Sequence, residues 1–323
     1  MEQLKIGVIG TGHMGRNHVR NLAEETKYFN LVGIYDKDKK QAEKIAAQYK
    51  TKVFAEIEQL LQEVEAVVIA VPSSLHREVG LKVAEYGRHA LIEKPLATTS
   101  EAAKVLNDAF RDKGLKLQVG HIERFNPVIT ELEKVLNSGQ TFYLEAHRYS
   151  PFSGSGRITD TSVVEDLMIH DIELVCHLMK RYEVTEVKGA GERVRSNMID
   201  FATCLLRFGE HGHAVVNASR VSQNKERSII IHTEESNIHA DLLNRTLTIT
   251  KNTDLTLNGE GDGNSYTQDG IVQKIFVPIK EPLRAELISF YHAVAEDTPT
   301  AVDGETGIQA IRICEEVVRQ ATK

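Results

Sequence analysis

Over roughly the first 120 residues, short apolar β-branched runs alternate with amphipathic stretches. Leu4 to Ile9 reads as a strand, and a helical pattern through His18, Val19 and Leu22 follows it. A second strand, Leu31 to Tyr35, precedes helices at about 38–49 and 56–62. The buried run Ala66 to Ala70 comes next, then a helix carrying His76, with Ser74 as its N-cap and Gly87 as the residue that ends it. A strand running to Lys94, a helix at about 100–112 and a strand from Lys116 to Val119 complete the series. Strands alternating with helices predict a doubly wound parallel sheet covered on both faces, an α/β domain over residues 1–121.

Beyond Gly120 the pattern changes. Asn126 and Pro127 are placed to start a helix. Apolar-rich runs at about 141–149, 184–190, 199–208, 212–221, 227–234 and 238–250 then follow one another, with one long helix among them. Short polar turns (Gly209 to Gly212, Glu234 to Asn237) join several of these runs, which predicts antiparallel pairing. The polar stretch from Asn252 to Asp269 reads as a mobile hairpin or loop, and helices at about 281–296 and 304–321 close the chain. The expected second domain, residues 122–323, is α+β with a large, mostly antiparallel, open-faced sheet. An apolar face that its own helices leave over suits a partner subunit.

Composition narrows the classes. The chain has 323 residues, 41% hydrophobic and 26% charged, as in ordinary globular proteins of two domains. A net charge of −7 argues against a sequence-independent nucleic-acid surface. The N-terminus enters a strand without a basic segment and apolar core, so no secretory signal is expected, and no apolar run is long enough to span a bilayer. Cys176, Cys204 and Cys314 are far apart and form no Cys-x-x-Cys, the pattern of free thiols in a reducing cytoplasm.

Chemistry enters at the strand ends. Gly10-Thr11-Gly12-His13-Met14-Gly15 stands between the first strand and the first helix, the setting in which this spacing means dinucleotide binding. Gly10 permits the turn, Gly12 lets backbone approach a pyrophosphate, and Gly15 lets helix and strand pack closely. Asp36 ends the second strand, where a carboxylate accepts from the adenosine ribose hydroxyls and repels a 2′-phosphate. That favours NAD over NADP, although Lys37 lies beside it and a strand-end Asp can also be a plain helix cap. The domain is therefore a Rossmann fold. Glu93-Lys94-Pro95 ends another strand, and Lys94 there can reach the crevice where open parallel sheets bind ligands. Taken alone it reads more readily as a solvated surface lysine.

In the second half, Asp166 and His170 fall one turn apart on a helix from Glu165 to His177, so the carboxylate can orient an acid–base imidazole. The same spacing suits a structural helix with a core histidine. Glu173 and His177 continue the stripe, which brings a metal site into consideration, but no third partner sequence is evident.

Gly10 to Gly15, Val71-Pro-Ser-Ser-Leu-His76 and Glu93-Lys94-Pro95, in this order and spacing, resemble the glucose-fructose oxidoreductase / inositol dehydrogenase / MocA family over the whole chain. The resemblance implies an NAD(P)-dependent sugar dehydrogenase acting on CH–OH, with a Lys–Pro bond that is often cis. It implies Lys94, Asp166 and His170 as the catalytic set. The cofactor would be held by Gly10, Thr11, Gly12, His13, Met14, Gly15, Asp36, Val71, Ser73, His76 and Glu93. His170 would take the hydroxyl proton, held by Asp166, while Lys94 stabilises the developing alkoxide; burial and the nicotinamide cation would lower the Lys94 pKa and leave it an alternative base. The approach Thr159 to Val164 departs from the family's glycine-rich one. Gly120-His-Ile-Glu-Arg-Phe-Asn-Pro127 and Asp166 to Asp171 are similar to one branch, the UDP-N-acetylglucosamine 3-dehydrogenases, which make a 3-keto sugar nucleotide for lipid A or other surface glycans. Arg124, Asn126, Arg148 and Arg157 are the corresponding substrate candidates, the last two flanking a Gly/Ser-rich loop suited to a diphosphate. In the family the second-domain sheet forms oligomer interfaces, which implies a homodimer or homotetramer. The competing expectations are a dehydrogenase of free sugars or inositol, and a non-catalytic sensor that binds NAD and a ligand.

Overall fold

A computed structural model describes residues 2–136, 141–152, 161–180, 183–258 and 265–322. The side chains of residues 141–142, 252–258 and 265–269 lie outside the description. The chain divides into two compact units, residues 1–125 with 281–315, and residues 126–280 with 316–323.

In the first unit, β1 (Leu4–Ile9), β2 (Phe29–Tyr35), β3 (Lys52–Val53), β4 (Ala66–Ile69), β5 (His89–Glu93) and β6 (Leu117–Gly120) form one parallel sheet ordered β3-β2-β1-β4-β5-β6. That order places a topological switch between β1 and β4, beyond whose carboxyl ends ligands bind. The strands are continuous apolar runs because helices cover both faces, and all four residues of β4 are buried. Between strands run α1 (His13–Glu24), α2 (Lys39–Tyr49), α3 (Ile57–Glu63), α4 (His76–Glu85) and α5 (Ser100–Arg111). Val19, Leu22, Ile34, Val68 and Leu91 are fully buried in one core cluster. Leu287, Phe290 and Tyr291 of α8 (Pro282–Ala295) belong to it as well.

That last fact changes the expected division. The closing helices, read from the sequence as part of a second domain running to residue 323, return instead to the first unit over 281–315. Only the end of α9 (Gly304–Ala321) belongs to the second unit, where Val317 fills the space that a Cβ at Gly189 would need. A second correction concerns Ser74. A 3-10 turn, Ser73–Leu75, leads into α4, and no side chain caps that helix. Gly87 does end it, with φ of 68°.

The second unit opens with α6 (Pro127–Leu136) and carries an eight-stranded sheet. Its strands are β7 (Thr141–Tyr149), β8 (Glu186–Glu192), β9 (Phe201–Arg207), β10 (His213–Ser219), β11 (Glu226–Thr233), β12 (Asn237–Asp241), β13 (Thr246–Asn258) and β14 (Ser265–Ile275), ordered β14-β13-β12-β11-β7-β10-β9-β8. All neighbours run antiparallel except β7 and β10. Of the stretch 252–269, expected as a mobile hairpin or loop, residues 252–258 and 265–269 belong to the antiparallel pair β13 and β14, and 259–264 lie outside the described residues. Leu144, Ala146 and Arg148 alternate inward along β7, and α7 (Ile169–Leu178) belongs to the same unit. Among the described residues no helix is long and apolar enough to cross a membrane, and none of the three cysteines is in a disulfide.

Candidate active site

The glycine turn has the shape its spacing requires. Gly10 sits at φ 92°, and a Cβ there would stand 2.6 Å from the Ala70 carbonyl oxygen. A Cβ at Gly15 would fall 1.9 Å from the Gly10 oxygen, so helix and turn close only around glycine. At Gly12 the opposite holds, with nothing within 4 Å of a Cβ. Gly12 is also the N-cap of α1 and offers no side chain to the first-turn N–H groups. Open space over an uncapped helix N-terminus fits a pyrophosphate. His13 is exposed and Met14 half-buried on the same first turn.

Asp36, just past β2, is built into this turn. Its Oδ2 accepts from the Thr11 N–H at 2.6 Å and the Thr11 hydroxyl at 2.7 Å, and its Oδ1 accepts from the Asp38 N–H at 2.8 Å. Gln41 Nε2 donates to the Thr11 carbonyl at 2.7 Å. A half-buried carboxylate fixed beside the glycine turn is where an adenosine ribose would meet it.

Lys94 follows β5 directly, is half-buried, and precedes a cis peptide to Pro95. His76 lies beside this turn, with Nδ1 2.8 Å from the Pro95 carbonyl oxygen and Nε2 2.9 Å from that of Val71. A neutral ring has one N–H, so it donates to one of these two carbonyls and only lies against the other. Burial pulls the His76 imidazole below its usual value, against the two carbonyls and the Glu93 carboxylate. His121, after β6, is pushed down to about 3 by burial and by the charges of Lys94 and Arg124, so it stays neutral. Two of the residues expected to hold the cofactor meet partners within the protein. His76 lies against backbone carbonyls, and Glu93 is buried against His18, its Oε1 2.7 Å from His18 Nε2. Val71 and Ser73 remain half-buried at the carboxyl end of β4.

In the second unit, Asp166 lies on a π-helical turn, Val164–Met168, that runs into α7 carrying His170. The sequence pattern suggested one regular helix. The observed wider turn is the kind of irregularity that recurs at functional sites. Ser162 and Glu165 start it as a capping box, the Ser162 hydroxyl donating to Glu165 Oε2 at 2.8 Å. Buried Arg220, at the end of β10, was missed from the sequence. Burial lowers its pKa while the carboxylates of Asp166, Asp200 and Glu165 raise it, and its Nη2 donates to the Thr161 carbonyl at 2.7 Å. It remains a cation facing Asp166.

The expected substrate residues are placed as follows. Arg148 is 2% exposed and grips Asp171 through both arms, Nε to Oδ2 at 2.6 Å and Nη2 to Oδ1 at 2.8 Å. It anchors α7 to β7 and is not presented to a diphosphate. Asn126 is buried as the cap of α6, accepting from the Val128 N–H at 3.1 Å. Arg124 is half-buried, with Nη1 3.4 Å from the Ala301 carbonyl oxygen. Arg157 and most of the Gly/Ser-rich loop lie outside the described residues. His177 pairs with Glu133 of α6, and among the described residues no three His, Cys, Asp or Glu side chains are grouped to hold a metal.

Residues 4–121 match a family described as oxidoreductases with an NAD-binding Rossmann fold, and residues 138–239 match the GFO/IDH/MocA C-terminal domain. The chain is 32% identical over 308 residues to the UDP-N-acetylglucosamine 3-dehydrogenase of Acidithiobacillus ferrooxidans, covering 95% of this chain and 94% of that one. A solved structure of the enzyme from that organism superposes with a TM-score of 0.88 at 30% identity, covering 99% of this chain and 98% of that one. The scyllo-inositol 2-dehydrogenase (NAD(+)) of Bacillus subtilis is 27% identical over 264 residues, or 76% and 77% of the two chains. Levoglucosan dehydrogenase, solved with NADH and levoglucosan, shares the fold at a TM-score of 0.84 and 21% identity, covering 99% of this chain and 98% of that one. With both halves matched and nearly the whole length aligned, the chain belongs to the GFO/IDH/MocA family of NAD-binding oxidoreductases.

Proposed function

We propose that this enzyme oxidises C3 of UDP-N-acetylglucosamine to the 3-keto sugar nucleotide with NAD, as a step toward lipid A or another surface glycan. The observation that carries this reading is the near full-length similarity to an enzyme of that name, in a chain that keeps Lys94, Asp166 and His170. Removing an alcohol O–H proton while hydride leaves carbon needs a base and a group that stabilises the alkoxide. The nicotinamide, when bound, accepts the hydride. His170 serves as base, oriented by Asp166, whose carboxylate faces the Arg220 guanidinium. Lys94 steadies the oxygen from a turn beside which His76 packs.

Gly12, Thr11 and Asp36 support NAD as the cofactor, because a carboxylate at the ribose disfavours a 2′-phosphate. Arg157 and Arg124 are the proposed diphosphate contacts. The enzyme would act in the cytoplasm as a homodimer or homotetramer through the second-unit sheet. Exposed apolar side chains at Phe276 and Ile279, 84% and 82% accessible, support self-association, which light scattering would measure.

The test is NADH formation with UDP-N-acetylglucosamine, UDP-glucose, free N-acetylglucosamine and myo-inositol in parallel, with an NADH-recycling system. Turnover confined to the nucleotide sugars is expected, with loss in Arg157→Ala. The second reading, oxidation of a free sugar or inositol, draws on the similarity to the Bacillus subtilis inositol enzyme. Turnover with polyols alone, indifferent to Arg157→Ala, would establish it. Tight NAD binding with no turnover on any of the four would favour a sensor.

A further inference from the structure

Beneath the strand that ends at Lys94 lies a group of buried polar side chains for which hydride transfer has no use. Glu286, on α8, is 0% exposed, and its neighbours Leu283 and Leu287 are core residues. Neither of its carboxyl oxygens has a hydrogen-bond partner among the described residues, and the same holds for Gln118 Oε1 and His18 Nδ1. These groups converge from three elements. Gln118 Nε2 of β6 donates to the Glu286 backbone carbonyl at 3.2 Å, and His18 of α1 bonds Glu93 of β5. Burial, and then the nearby Glu93 carboxylate, raises the Glu286 carboxyl well above its usual range.

An ionised carboxylate at such a position would give up its hydration and gain no donor in return. A protonated acid needs much less, since its O–H can be given to one water. A buried water typically takes about three polar partners, and both Glu286 oxygens, Gln118 Oε1 and His18 Nδ1 are polar atoms without one among the described residues. We propose that Glu286 is a neutral carboxylic acid, joined through buried water to Glu93, and that with His18 it positions the strand end bearing Lys94. The titratable groups around it are Glu93 from β5 and His18 from α1, with His76 of α4 facing the same Glu93 charge. Glu93 is covalently next to Lys94 and is bonded to the helix whose N-terminus faces the pyrophosphate position. The network therefore joins the two ends of the cofactor crevice within the first unit. Its functional half rests on Lys94 acting in catalysis, whereas the protonation state does not.

The tests use the full-length protein and need no substrate. Infrared spectra at neutral pH should show the carbonyl stretch of a protonated carboxyl, shifted by deuteration and absent in Glu286→Gln. No such band, or a band that persists in Glu286→Gln, overturns the neutral acid. A carboxyl whose folded pKa is raised stabilises the fold fully below its unfolded value, and that contribution is lost as pH rises through the folded value. Unfolding near neutral pH should thus release about one proton more from the wild type than from Glu286→Gln. Positioning is read by the pH-dependent rate at which Lys94 is acylated, followed by mass spectrometry. Glu286→Leu should change that rate by about tenfold, the equivalent of one lost hydrogen bond, while Glu286→Gln keeps it. An unchanged rate in Glu286→Leu overturns the positioning role. Should the activity assay fail while band and labelling behave as stated, the proposed reaction falls and this network stands.

Discussion

Asp36 is a residue whose role depends on being held. Three protein donors fix its carboxylate beside the glycine turn, so in the proposed ribose contact it is an acceptor that need not reorganise. Asp36→Ala is predicted to lower kcat/KM for NAD by about 10- to 100-fold, as for a lost bond to a charged group, and to lower that for NADP much less. Equal losses with both cofactors would sink the ribose assignment. At Lys94 the expectation differs in kind. Lys94→Ala should lose about 10²- to 10⁴-fold in kcat with NAD affinity, by fluorescence titration, unchanged. Wild-type turnover in that variant removes Lys94 from the reaction. Both residues were legible in the sequence because their positions follow from strand ends and turn spacing, which are local.

At the scale of elements, the pair Arg148–Asp171 shows what local reading overlooks. Period-two alternation already placed Arg148 on the face of β7 shared with buried Leu144 and Ala146. Removing one partner leaves a buried charge alone, so Arg148→Met should destabilise the protein by about 3–5 kcal/mol in urea titration, and adding Asp171→Leu should recover much of that. Equal stability in the single and double variants would show that the pair does not couple. Arg220 was invisible for another reason. Its partner Asp166 is distant in sequence, and nothing in Ser219-Arg220-Val221 announces a carboxylate neighbour.

For the molecule as a whole, stability in acid should follow the buried carboxylates. Burial alone would raise the Asp200 pKa, but the N–H groups of Val194, Arg195 and Ser196 and the Ser196 hydroxyl hold it below its usual value. A depressed folded value gives stability that is present above the unfolded value, about 4, and lost as pH falls through the folded one. The melting temperature of the wild type should therefore fall more steeply below about pH 4 than that of Asp200→Asn. Parallel acid limbs would show that the loop from Val194 to Ser196 does not depend on this charge.

The sequence by itself determined the Rossmann half, the strand-rich second half, the glycine turn and the position of Lys94 just past a strand. Periodicity, turn chemistry and helix caps are properties of neighbouring residues, so one chain displays them without its fold. It also contained the change of grammar near Gly120, close to the boundary at Phe125. Tertiary structure alone decided which unit each closing helix joins, because an amphipathic pattern shows that a face is buried but not against what. It also decided which partners Arg148, Asn126, His76 and Glu93 meet within the protein, and that Glu286 occupies a core position beside Glu93. A polar side chain's role is set by the partner it meets, and those partners lie tens to hundreds of residues away, joined only when the sheets and helices pack.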